Sequence, residues 1–227
     1  MNRVISKQEA LERNVSFVLR GIALATGIYQ LFLGETDVGI IILLAVGAIS
    51  APKLFTRNRI VSMPIEFELL FTLMVILQFV IGETLDFYSQ VPYYDKFVHF
   101  SLPLIVGFVS FMIAYVLYKA GRLRLSTGPL MLAIIFMTLG VGAFWEVVEY
   151  SYDITLGVHT SYLGELQGNA SENAHTDTMF DLIADLIGGM LGALLGLLFI
   201  NAPSITIKAR VQRFVRAARR SLRKKPV

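Results

Sequence analysis

Apolar residues run along the chain in six blocks, separated by short polar breaks. Blocks near residues 15–34, 64–85, 95–118, 128–152 and 177–201 are long enough to cross about 30 Å of hydrocarbon as helices. A sixth, at 38–54, is shorter. Helix-breaking residues punctuate the intervals: Gly34, Pro52, Pro64, Pro92, the helix-start run Ser126-Thr127-Gly128-Pro129, and Pro203. No internal repeat relates the blocks. The pattern predicts an all-α polytopic membrane helix bundle of about six transmembrane helices over residues 1–201, followed by a separate tail at 202–227.

Composition agrees with a membrane solvent. Of 227 residues, 55% are hydrophobic and only 16% charged, and the mean hydropathy is +0.64. Cysteine is absent, which excludes a disulfide framework and a thiolate metal site. The first 14 residues are polar and no small-residue cleavage site follows, so the first block reads as a retained span and not as a signal peptide.

Charge then orients the bundle. Lys and Arg number 3 in residues 1–14, 3 in 51–62, 3 in 119–126 and 9 in 202–227, all on one side of a six-span arrangement. The alternate loops, 34–37, 81–94 and 153–176, contain none. The positive-inside rule makes both termini cytoplasmic. In the tail, Ile207, Val211, Phe214, Val215 and Leu222 recur at helical spacing among the basic residues. That reads as an amphipathic helix on an anionic leaflet, with membrane lipids and no nucleic acid as partner. Tyr88, Tyr93, Tyr94, Trp145, Tyr150 and Tyr152 fall near the outer interface and read as an aromatic belt. Glu66, Glu68 and Arg20 read as interfacial or paired.

Candidate chemistry sits where three spans reach the outer side. The fourth span starts with YDKFVHF, the fifth ends with FWEVVEYSYD, and the sixth starts with DTMFDLIAD. Asp95 and His99 are four residues apart; Glu146, Glu149 and Asp153 follow at i, i+3 and i+7; Asp177, Asp181 and Asp185 form a stripe at intervals of four. Each set occupies one helix face. His99, Glu146 and Asp185 lie roughly 6–12 Å inward of the helix ends at about 1.5 Å per residue. Asp95, Asp153 and Asp177 are nearer the ends, where helix capping or a headgroup-level charge accounts for them equally well.

Such a surplus of negative charge is untenable in low dielectric. Either several carboxyls stay protonated or a bound cation compensates them, and carboxylates with one imidazole suit Mg, Mn, Zn or Fe(II). On this reading His99, Glu146, Asp181 and Asp185 are metal ligands, with Asp95, Asp177 and Asp153 as possible additions. Glu149 is the general base activating water at the ion, and Lys96 is placed to neutralise a phosphate. Pro103 removes the amide that would bond the His99 carbonyl. Gly188, Gly192 and Gly196 recur every four residues and permit close helix approach behind the aspartates. The 153–176 loop, with His159 and His175, has the length of a lid, although both histidines read more simply as solvated.

The ordered set YDKFVHF, FWEVVEYSYD and DTMFDLIADLIGG resembles the YjdF-like family of predicted bacterial inner-membrane proteins over about residues 60–200. Its Asp-Lys-x-x-His, Glu, Asp order is more distantly similar to VanZ-like proteins, associated with glycopeptide resistance. The loop before Asp177 lacks a Gly-Asp-x-Trp lead-in, and Ser101-Leu102-Pro103 stands where Gln-Gly usually follows the histidine. The resemblance implies a multi-pass protein of the bacterial cytoplasmic membrane and places Asp95, Lys96, His99, Glu146, Glu149, Asp177 and Asp181 on the family's motif positions; it implies no established activity. Three function classes follow from the residues. One is a metal site acting on or binding a lipid-linked or cell-envelope substrate; another is a cation- or proton-coupled transporter; the third is a non-catalytic envelope or resistance factor.

Overall fold

A computed structural model of the chain describes residues 7–55, 65–119, 121, 123–156 and 174–201. The described residues are helical: α1 (Lys7–Leu33), α2 (Thr36–Phe55), α3 (Ile65–Val75), which continues as a π-helix over Ile76–Thr84, then α4 (Phe87–Gln90), α5 (Tyr94–Lys119), α6 (Thr127–Leu156) and α7 (Ala174–Asn201). Five stretches are long and apolar enough to cross a membrane, and Thr36–Ala51 is a shorter apolar helix. The six blocks of the sequence are these six elements. The basic tail, His159, Pro64, Pro203 and most of the 153–176 loop lie outside the described residues, as do the side chains of Glu66, Tyr152 and Asp153. The chain divides between Thr84 and Leu85 into two compact units.

In the first unit α1 and α2 form a hairpin. Gly34, at φ 91°, takes the left-handed conformation that the turn requires, and the Glu35 amide donates to the Gln30 carbonyl at 3.0 Å. Gly39 lies so close to α1 that an added Cβ would stand 2.9 Å from the Gly27 carbonyl oxygen. Across from the hairpin, Arg20 pairs with Glu68 at 3.5 Å, with the two side chains 12% and 4% exposed. This buried pair is how the two charges enter apolar spans: each is the other's compensation.

The π-helix is not visible in hydropathy, because an apolar run looks the same at either pitch. Its last turn is tied by side chains. Thr84 Oγ1 donates to the Phe79 carbonyl, five residues back, at 3.0 Å, and Gln30 Nε2 donates to Thr84 Oγ1 at 3.0 Å. The wider turn buries Gln78 and Glu83 beside Phe79 and Val80.

The second unit is organised around α7, which packs against both α5 and α6. Small residues set the spacing. A Cβ on Gly188 or Gly192 would run into the carbonyl oxygens of Phe100 and Leu104 on α5; one on Gly107 would come within 2.8 Å of the Gly189 carbonyl oxygen; and one on Gly196 would come within 2.6 Å of Phe111 Cβ. The glycine repeat is therefore the α5–α7 contact surface. Helix α5 continues unbroken through the buried Pro103. On the opposite faces Phe136, Phe144, Met179, Phe180, Ile183 and Ile187 are exposed, as lipid-facing side chains would be.

At the other end, α4 and the turn into α5 are held by Phe87, Tyr88 and Tyr94, whose rings meet edge to face at 5.3–5.4 Å. Tyr88 and Tyr94 are buried, while Tyr93 and Tyr150 are exposed. The expected aromatic belt is thus divided, with half of its described tyrosines serving as packing that fixes the start of α5.

Close approach at backbone level has a measurable consequence. Gly192→Val should lower stability by about 1–3 kcal/mol or more, since backbone carbonyls cannot move aside as a side-chain tip can. Gly140→Ala, where an added Cβ meets nothing within 4 Å, should leave the melting temperature in detergent unchanged or slightly raised. Equal melting of the two variants would remove the glycine contact from the account.

Candidate functional site

Three helix ends converge at the Tyr94 end of α5. The first turns of α5 present Asp95, Lys96 and His99; the last turns of α6 present Gly142, Trp145, Glu146 and Glu149; the first turns of α7 present Asp177, Asp181 and Asp185. The aspartate stripe faces the helix partners and not lipid. Asp181 and Asp185 are 2% and 1% exposed, whereas Phe180 and Ile183 on the same turns are 50% and 46% exposed.

The cluster has two halves. In one, the Lys96 ammonium donates to Asp95 Oδ2 at 3.1 Å, to Asp181 Oδ2 at 2.9 Å, and to Asp177 Oδ1. Three carboxylates thereby saturate its three protons. In the other half, His99 is the centre. Its Nδ1 lies 3.3 Å from Asp185 Oδ1, and its Nε2 lies 3.6 Å from Glu146 Oε1 and 3.8 Å from Asp95 Oδ1. Glu149 completes this side, with Oε1 accepting a 2.7 Å hydrogen bond from Trp145 Nε1.

Six carboxyl groups thus surround one ammonium and one imidazole. Asp181 Oδ1, Asp185 Oδ2 and Glu146 Oε1 are buried and accept no hydrogen bond. Buried carboxylate oxygens without a partner carry a desolvation cost that a cation would remove. Asp95, His99 and Asp181 each offer a donor atom within 4.8 Å of the others, and so do His99, Glu146 and Glu149. Donors around one ion at bond lengths of roughly 2.0–2.6 Å stand at most about 5 Å apart, so each group by itself has the reach of a single-ion cage.

All the described sequence candidates are brought together, with changes of role. Asp95 and Asp177, which helix-end chemistry could have explained alone, are instead bonded to Lys96. Lys96 is committed to aspartates and not free for an anion. Asp185 meets the opposite imidazole nitrogen from Asp95 and Glu146. Two participants escaped the sequence reading. Trp145 was assigned to the aromatic belt, although its i, i+4 relation to Glu149 was available as a signal. Gly142 lies one turn before Glu146, and any Cβ there would collide with the Asp185 carboxyl. His175 is exposed and takes no part.

The Gly142 contact predicts a coupling. Gly142→Ala should displace the Asp185 carboxyl and lower the melting temperature. In the presence of Asp185→Ala the same substitution should cost less, with a non-additivity of about 0.5–3 kcal/mol in a double-mutant cycle. Strict additivity would mean that Asp185 does not sit against α6.

No curated protein and no solved structure matches the chain. Residues 15–202, which take in every helix that carries the cluster, match the family of predicted membrane proteins DUF2238. The chain is therefore a member of the DUF2238 family, a multi-pass helical membrane protein with acidic and histidine side chains buried together among its spans.

Proposed function

We propose that the second unit is a divalent-cation site at the outer side of the membrane, through which the protein binds or acts on a lipid-linked or cell-envelope substrate. One observation carries the reading: buried oxygens on Asp181, Asp185 and Glu146 accept no hydrogen bond, while two donor groups, each within 4.8 Å, share one imidazole. The balance of groups points the same way: six carboxyl groups share one ammonium and one imidazole here, whereas Arg20 and Glu68 in the first unit pair one charge with one.

Roles follow from geometry. His99, Asp95 and Asp181 form one ligand group, and Glu146, 3.6 Å from His99 Nε2, would join it through the shared imidazole. Asp185 accepts from Nδ1 and fixes the tautomer and ring plane, the orienting arrangement common behind metal-bound imidazoles. This moves Asp185 from ligand to positioning residue. Glu149, held by Trp145, is the general base beside the ion, which would supply Lewis acidity toward a phosphate or carbonyl oxygen. The outward placement is supported by charge: the far ends of α5 and α7 lead into segments with 3 and 9 basic residues, 119–126 and 202–227, and the 153–176 segment at the cluster's end has none. The bacterial cytoplasmic membrane as location, and kinship with the YjdF-like proteins within the wider family, belong to the same proposal.

Elemental analysis of purified protein should find about one divalent ion per chain, lost from an Asp181→Asn, Asp185→Asn variant. Chelation at neutral pH should lower thermal stability and added Mn²⁺ should restore it, by about 2.7 kcal/mol when free ion is a hundredfold above Kd. Acidification should act like chelator, because carboxylate ligands must be deprotonated to hold the ion, so the ion-derived stability is present at neutral pH and lost as pH falls. Trp145 is the only tryptophan, so terbium luminescence sensitised at tryptophan wavelengths reports occupancy beside Glu149. A metal-free parent that is insensitive to chelator would overturn the reading. For the substrate, Glu149→Gln cells should accumulate the same lipid-linked species as cells without the protein.

A further inference from the structure

The two halves of the cluster share their bridging groups. Asp95 turns Oδ2 to the Lys96 ammonium at 3.1 Å and Oδ1 toward His99 Nε2 at 3.8 Å. Asp181 is placed alike: Oδ2 lies 2.9 Å from the ammonium, Oδ1 is buried without a hydrogen bond, and a carboxylate oxygen of Asp181 stands within 4.8 Å of donor atoms of Asp95 and His99. Two carboxylates, each bonded to a cation and each belonging to an adjacent donor set, match the bridging pattern of two-metal sites, where ions stand about 3.5–4 Å apart. Asp177 closes the Lys96 side with its own carboxylate.

We propose that the cluster is a two-cation site in which the Lys96 ammonium permanently occupies one position, leaving a single exchangeable position for a divalent ion at His99. The inference deepens the proposed cation site and rests on it for the second position. A tethered ammonium supplies one charge that cannot dissociate, holds Asp95 and Asp181 at the distance a neighbouring ion requires, and excludes a second metal by charge and by volume. Asp177 serves the ammonium position alone, and Asp95 and Asp181 serve both.

The difference in ion number between variants tests this independently of the parent's own count. In Lys96→Ala the ammonium and its volume are both removed, so the variant, purified and dialysed in Mn²⁺, should bind one ion more than the parent. Adding Asp177→Ala should cancel the gain. Mn²⁺ paramagnetic resonance should show an exchange-coupled pair in Lys96→Ala and an isolated ion in the parent. Lys96→Ala leaves three aspartates facing one another, so it should melt below the parent without ion and recover in Mn²⁺. An unchanged or smaller ion number, or a Lys96→Ala protein that Mn²⁺ does not restore to the folded state, overturns the inference. A metal-free parent whose Lys96→Ala variant gains one ion would overturn the function proposed above while supporting the ammonium as a cation surrogate.

Discussion

Everything in the second unit depends on how carboxylates are compensated in a medium that will not solvate them. Lys96 is the fixed part of that compensation: a single ammonium joins the start of α5 to two turns of α7 through Asp95, Asp177 and Asp181. Taking its charge out of water is costly, and only the three acceptors repay it. The pairing therefore dictates which face of α7 meets α5. Once that face is fixed, Asp185 is carried to His99 one turn deeper.

Packing and charge specify the same register. The glycine face of α7 continues the aspartate face along the helix, since Gly188, Gly192 and Gly196 follow Asp185 at intervals of three, four and four. Backbone contact through glycines at one end brings the helices close enough for short aspartate side chains to span the gap at the other. A glutamate stripe would suit a wider spacing. Where α6 approaches, Gly142 yields the volume that the Asp185 carboxyl fills, so the third helix is also spaced by an absent side chain.

Much of this was legible in sequence because it rests on two strong periodic signals. Long apolar blocks give the spans, and intervals of three and four give the stripe, the Asp95–His99 and Glu146–Glu149 sets, and the glycine repeat. What escaped depends on which atom meets which. Asp95 and Asp177 stand at helix ends, where capping chemistry and cluster membership predict the same residue types. Lys96 was readable as a lone cation but not as the ligand of three carboxylates, since its flexible stem can reach several ways. Spacing cannot say which imidazole nitrogen Asp185 meets. The π-turn ending at Thr84 was invisible because it hangs on side-chain bonds from Gln30 and Thr84, which no hydropathy pattern carries.

The contrast between the units locates the chemistry. In the first, Arg20 and Glu68 admit one charge of each sign, and Thr72 Oγ1 donates to the Glu68 carbonyl at 2.6 Å. In the second, six carboxyl groups meet one lysine and one histidine, with buried oxygens left over on three side chains. A bundle needing only stability would follow the first pattern, because a neutral pair costs less than an excess of one sign. Retaining the excess at the end of three glycine-spaced helices leaves the second unit with more carboxyl groups than basic partners, and that imbalance is what the proposed cation site answers.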